Sequence, residues 1–354
     1  MHREENSTKF PSFVLVIYDD VGEMRYVYFT IFILIYIAII FSNASLIGII
    51  CLRRTLHEPM YLFLCSLSVN DLYGSTALFP SMLNHLLSDY HTISYASCFI
   101  QIFCLYTCCA TELCNLAVIS YDRYMSICYP LQYLRLITPC KVYILILLTW
   151  LYSFTIVLTT ISLSFSLQLC GNVIDRVYCD NFLVVRQACS DTTVNNIYGL
   201  FITVVVIGVT FSPILYSYIR ILNICLRSSK EQKQKALNTC IPHIASLLNF
   251  SVGILFVVIQ GRYDLRHLPV VIRIVISVYF PACTPLFNPV MYGVRMTKIR
   301  EEFKKVFNSK SSAFINMDVS GGHDQISRQA SAHVCKFLSR GFAVQHSGEL
   351  ENCY

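Results

Sequence analysis

Residues 98–127 read CFIQIFCLYTCCATELCNLAVISYDRYMSI. The step from Cys98 to Arg123 rises about 37 Å as a helix, enough to cross the hydrocarbon core of a bilayer. At 100° per residue, Leu105, Cys109, Glu112 and Arg123 fall within about 40° of one stripe. One face of this segment therefore carries a cysteine near its outer end, a carboxylate near the middle and the Asp122-Arg123 pair at the inner end. A helix with such a face does not look at lipid, because a charge at mid-membrane needs a partner or water. It belongs in the middle of a bundle.

The rest of the chain supplies the bundle. Hydrophobic residues make up 55% of the 354 and charged residues 14%, where a soluble domain carries roughly 25% charged. A soluble domain of this length has too much surface to cover with so few charges. Seven apolar stretches are long enough to span, at 27–52, 59–83, 98–127, 141–163, 196–225, 236–259 and 270–294. Their continuous apolar character predicts helices, since barrel strands alternate over about ten residues. The expectation is an all-α seven-helix membrane bundle, residues 27–294, without a second folded domain.

Lysine and arginine placement orients it. With the N-terminus outside, inner loops and the segment to residue 309 hold 15 of them, and the outer loops hold five. That asymmetry predicts an extracellular segment 1–26 and a cytoplasmic C-terminus. FVLVIY at 13–18 is too short for an apolar signal core. Asn6-Ser7-Thr8 is a glycosylation sequon on the outer side. TKIREEFKKVF places Ile299, Phe303 and Phe307 among basic residues at helical spacing. Residues 295–309 are thus expected as an amphipathic helix attracted to inner-leaflet lipids. The Ser-rich 310–354 reads as a disordered cytoplasmic tail.

Two features carry chemistry. Asp71 and Glu112 are the only carboxylates deep in the spans, and each is costly there unless protonated, paired or wet. They predict a sodium or proton site, against a plainer reading of protonated acids bonded to Asn43 or Asn288. Pro289 removes a backbone donor inside the seventh span and kinks it, with Asn288 and Tyr292 flanking the break. Of 17 cysteines, Cys98, Cys170, Cys179 and Cys189 lie outside, and four cysteines allow three pairings.

Several motifs stand in one order along the chain. They are LHEPMYLFLCSLSVNDL from Leu56, AVISYDRYMSICYPLQY from Ala117, Trp150, SYIRIL from Ser217, KALNTCIPHI from Lys235 and PLFNPVMYGVR from Pro285. On these the sequence resembles rhodopsin-like G-protein-coupled receptors and, among them, olfactory receptors. The KALNTC wording and Asn249-Phe250-Ser251 lean toward the aquatic-type subset. Departures are Ser42 for the usual glycine, Ser251 for an aromatic in mid span six, and the long tail.

The resemblance implies a plasma-membrane multi-pass receptor. It would bind small organic odorants in the outer half of the bundle and activate a stimulatory, olfactory-type G protein that raises cyclic AMP. It implies bridges Cys98–Cys179 and Cys170–Cys189. It implies a switch built from Asp122, Arg123 and Tyr124, with Tyr218, Asn288, Pro289 and Tyr292, and with Leu131 as an apolar knob for the G protein. Depth along the spans together with the resemblance gives candidate ligand contacts: Leu105, Tyr106, Cys109 and Ala110; Ile202, Thr203 and Val206; Ser251, Ile254 and Val258; Val278 and Pro281. The set is mostly apolar, which suits a small organic ligand held by shape and one or two hydrogen bonds. It lacks a carboxylate to anchor an amine.

Other functions fit less well. A class A receptor for a non-odorant small molecule is the nearest alternative. An ion-coupled transporter would show paired repeats and broken spans, and neither is present. No phosphate loop, nucleophile elbow or metal-ligand spacing points to an enzyme, and nothing points to nucleic acid. His243 stands alone in span six, where a satisfied packing histidine is expected.

Overall fold

The computed structural model describes residues 11–263 and 265–305. Asn6, residues 306–309 and the tail 310–354 lie outside the described residues, so the sequon, the end of the amphipathic segment and the expected disorder are not addressed by it. Residues 297–305 are helical.

Seven long helices follow one another: α1 Arg25–Leu52, α2 Pro59–Leu87, α3 Tyr95–Cys128, α4 Pro139–Phe165, α5 Thr193–Arg227, α6 Lys230–Arg262 and α7 Val270–Arg295. Helices α2, α3 and α4 start where backbone chemistry favours it. Pro59 and Pro139 occupy the first turns of α2 and α4, where a missing N–H costs nothing. Ser94 caps α3 by accepting from the Ser97 N–H at 3.1 Å, and Thr138 caps α4 through the Lys141 N–H at 3.3 Å. Such caps meet donors that a helix start would otherwise leave open.

All of these except α2 are apolar enough, as well as long enough, to cross a membrane. Helix α2 matches them in length, with 29 residues. It is less apolar because Asn70, Asp71 and several serines sit on its buried side. Those groups face α3 and α7, not lipid. Helix α3 is central, packing against α2, α4, α5 and α6, while α1 packs on α2 and α7. Gly74 lets α2 approach α3, since a Cβ there would lie 2.3 Å from Cys108 Sγ. Gly253 does the same for α6 against the Phe280 ring.

The outer end carries a small sheet that the apolar runs do not announce. Strand β1, Ser12–Leu15, pairs antiparallel with β2, Thr92–Ser94, and parallel with β3, Val173–Ile174. Alternation places Phe13, Leu15 and Ile17 inward, all fully buried. FVLVIY is thus a strand and turn that close over the bundle. Tyr18 donates to the Val177 carbonyl at 2.7 Å. Arg273, at the top of α7, binds Asp20 of the N-terminal segment and Asp175 of the second outer loop, the latter at 2.8 Å. Disulfides Cys98–Cys179 and Cys170–Cys189 tie that loop to α3 and to itself.

Candidate functional site

The interior holds a polar hub where α1, α2, α3 and α7 meet. Pro289 cannot donate to the carbonyl of Pro285, one helical turn earlier. Asn43 fills the vacancy, donating to that carbonyl at 2.9 Å and to Ile39 O at 3.1 Å. The kink in α7 is therefore locked by a side chain from α1. One turn of α7 further on, Asn288 Nδ2 donates to Asp71 Oδ2 at 3.2 Å and to Glu112 Oε1 at 2.8 Å. Asn70 donates to the other Glu112 oxygen at 3.1 Å. Both acids are buried. A cavity of about 20 Å³ lies against them, lined also by Ser75, Leu105, Cys108, Phe280, Pro281 and Thr284. That is room for one water-sized occupant. Thr284 Oγ1 has no hydrogen-bond partner among the described residues. The lining is mostly apolar, and a hard cation there would take its oxygens from the two carboxylates and Thr284 Oγ1.

The same cavity reaches the expected ligand region, because Leu105 and Pro281 line it. Above it, Tyr106 donates to Asp180 Oδ2 of the second outer loop at 3.4 Å. Cys109, Val206 and Ile254 pack with Leu113, Leu116 and Phe250, and Ala110 is half-buried nearby on α3. Val278 is buried in the outer core, and Pro281 is buried on α7. Ile202 is half-buried.

Three expected contacts stand elsewhere. Ser251 and Val258 share an exposed stripe of α6 with Leu248 and Leu255. The buried face of α6 instead carries His243, Ser246, Phe250 and Gln260. Thr203 is exposed on α5. The Ser251 and Thr203 hydroxyls both donate to their own helices, to Leu247 O and Gly199 O at 2.7 Å. Depth and resemblance selected these residues, and rotation about the helix places them on its exposed side. Phe280 and Gly253 were missed. A glycine and an aromatic at matching depth on neighbouring spans could have signalled their contact.

At the inner end Asp122 and Arg123 are buried and hydrogen-bonded to each other. Tyr133 of the second inner loop donates to the other Asp122 oxygen at 2.6 Å. Burial, with the Asp122 charge beside it, holds the Tyr133 hydroxyl well above the ordinary tyrosine range, so it remains a donor. Tyr124 packs edge-on against Tyr129 and Tyr216. Leu131 is 99% exposed, an apolar side chain presented to the cytoplasmic face. Tyr292 is buried at the inner end of α7.

His243 does more than pack. Its Nε2 lies 2.9 Å from the Leu116 carbonyl, which can only accept, so Nε2 carries the proton. Nδ1 is then the acceptor for the Tyr218 hydroxyl at 2.5 Å. This tautomer ties α5 and α6 to the backbone of α3. The Tyr218 hydroxyl is thus engaged by His243.

Comparisons with known proteins give a consistent picture. A family model described as olfactory receptor matches residues 32–310. Human Olfactory receptor 11A1 is 35% identical over 303 residues, covering 85% of this chain and 95% of that protein. Human Olfactory receptor 51L1 is 34% identical over 272 residues, 76% of this chain and 86% of that protein. Human Olfactory receptor 6N1 is 33% identical over 304 residues, 85% and 96% respectively.

Proposed function

The chain belongs to the olfactory receptor family, and from that premise we propose how odorant binding in its outer half reaches the G protein inside. It is an odorant receptor coupled to a G protein, and it is not an enzyme. It acts at the plasma membrane, and the G protein is of the stimulatory type.

The ligand sits among Leu105, Tyr106, Cys109, Val206, Ile254, Phe280 and Pro281. In the resting bundle Arg123 is held by Asp122, a charge-assisted hydrogen bond worth about 1.5–3 kcal/mol. Tyr218 is held by His243. A ligand that fits a rearranged outer half better than the resting one shifts the equilibrium by that difference in affinity and no more. Helix α6 then moves outward at its inner end. Tyr218 leaves His243 for Arg123, Tyr292 swings inward, and Leu131 inserts into a stimulatory G protein that raises cyclic AMP.

Asp71 and Glu112 would hold a sodium ion in the resting state, with Ser75 and Thr284 beside them. When bound, sodium supplies the positive charge that two buried carboxylates lack. Because Asn288 spans both acids, any movement of α7 at Pro289 disturbs the site. The hub therefore favours the resting bundle.

The observation that carries this reading is the buried Asp122–Arg123 pair with Tyr133 closing over it. The test replaces Arg123 by Ala, verifies surface level, and measures cyclic AMP with an activating odorant. Loss of response at normal surface level is expected. An undiminished response would remove Arg123 from the switch.

A further inference from the structure

The second outer loop brings a buried charge over the ligand site. Arg176 is only 2% exposed. An arginine stays protonated wherever it is placed, and a buried charge with unmet donors is costly. Yet neither Nη1 nor Nη2 of Arg176 has a hydrogen-bond partner among the described residues.

The nearest carboxylate does not meet the need. Asp180 Oδ2 lies 3.7 Å from Arg176 Nη1, close enough for Coulomb attraction and too far for a hydrogen bond. Asp180 is engaged elsewhere. Its Oδ1 accepts from the Phe182 and Leu183 N–H groups at 3.0 and 3.3 Å, and its Oδ2 accepts from Tyr106 at 3.4 Å. Arg273, the other buried cation of the outer face, differs sharply, because Asp20 and Asp175 each bond one of its terminal nitrogens. Among the described residues, neither terminal nitrogen of Arg176 gains such a bond.

Through Asp180, Arg176 stands one side chain away from Tyr106, on the outer half of α3. The Tyr178 hydroxyl lies beside it, pushed up to about 12 by burial against the pull of Arg176, and so remains a neutral donor. The loop carrying all three is fixed to α3 by Cys98–Cys179 and by Gln101 Oε1, which accepts from the Cys179 N–H at 2.9 Å. A rigid, desolvated guanidinium that meets Asp180 and Tyr178 only loosely can still offer its planar fork to the two oxygens of a carboxylate.

We propose that Arg176 is the polar anchor of the odorant site and that the receptor prefers ligands with a carboxylate at one end. The apolar remainder of such a ligand lies toward Leu105, Cys109 and Phe280. Tyr106 and Tyr178 add neutral donors to the head group. This inference rests on the receptor reading above and narrows its ligand class.

Octanoate, methyl octanoate, octanol and octylamine share one chain and differ in head group. With the full-length receptor in cells and cyclic AMP as readout, octanoate should be at least about tenfold more potent than the ester or the alcohol, the difference a charge-assisted pair makes. Arg176→Gln should erase that preference while the response to a neutral activator stays in place. Arg176→Lys keeps the charge without the fork and should retain only part of the preference. Surface labelling checks folding. A thermal shift of the purified receptor with octanoate reads binding independently of signalling and should vanish in Arg176→Gln. An acid preference that survives Arg176→Gln, equal potency of acid and ester, or preference for octylamine would each overturn the proposal. Neutral odorants activating without acid preference would leave the receptor reading intact. Silence toward every organic ligand tried would count against that reading instead.

Discussion

At its outer end α3 is fixed by a covalent bond, Cys98–Cys179, by the Gln101–Cys179 hydrogen bond and by a three-stranded sheet. At its inner end, among the described residues, no disulfide reaches α3 itself, and Cys128 is a free thiol. Asp122, Arg123 and Tyr133 form one small cluster, and Tyr218 with His243 forms another. Each inner contact is worth about 1–3 kcal/mol, whereas a native disulfide contributes about 2–5 kcal/mol and closes the chain permanently. A receptor needs both regimes. The pocket must keep its shape to recognise a ligand, and the inner face must exchange partners at a cost a ligand can supply.

The largest expected effect comes from the rigid end. Cys98→Ser opens a link between residues separated by 81 positions, and should cost about 2–5 kcal/mol. Surface immunolabelling should show most of the receptor lost. A variant that reached the surface and answered ligands normally would show that the sheet and the Arg273 pairs fix the outer end unaided.

A smaller effect is expected at the hub, where the two regimes meet. Glu112→Gln keeps the shape and removes a charge. Basal or ligand-evoked cyclic AMP should change by about tenfold, the scale of a coupling energy near 1.4 kcal/mol. Any sodium sensitivity should disappear with it. A variant with normal expression and neither property moved would reduce Asp71 and Glu112 to packing groups.

The smallest effect belongs to a single neutral contact at the inner end. His243→Phe keeps a ring against Tyr218 and removes both bonds of the imidazole. Losing about 1 kcal/mol from the resting state should raise basal signalling roughly fivefold. Unchanged basal signalling would make the Tyr218–His243–Leu116 bridge a packing feature.

Much of this was legible in the sequence. The seven helices follow from apolar length, and the interior face of α3 from Cys109, Glu112 and Arg123 on one stripe. The pairing of the four outer cysteines rested on resemblance, because spacing leaves three connectivities open. The outer sheet was hidden. FVLVIY is a six-residue run, and its partners TIS and VI are far along the chain and too short to carry a pattern. Ser251, Val258 and Thr203 were misplaced because sequence gives depth along a span, while rotation depends on neighbours. The recurrence of His243, Ser246, Phe250 and Gln260 at helical spacing marks the true inner face of α6. Arg176 was passed over since a charge in a loop ordinarily faces water.

The central claim is that α3 is fixed outside and switchable inside. Distance measurements between spin labels test it most directly, with one pair on the inner ends of α3 and α6 and another on the outer ends of α3 and α7. On adding an activating odorant, the inner distance should lengthen and the outer distance should hold. Equal movement at both ends, or movement at the outer end alone, would contradict the account.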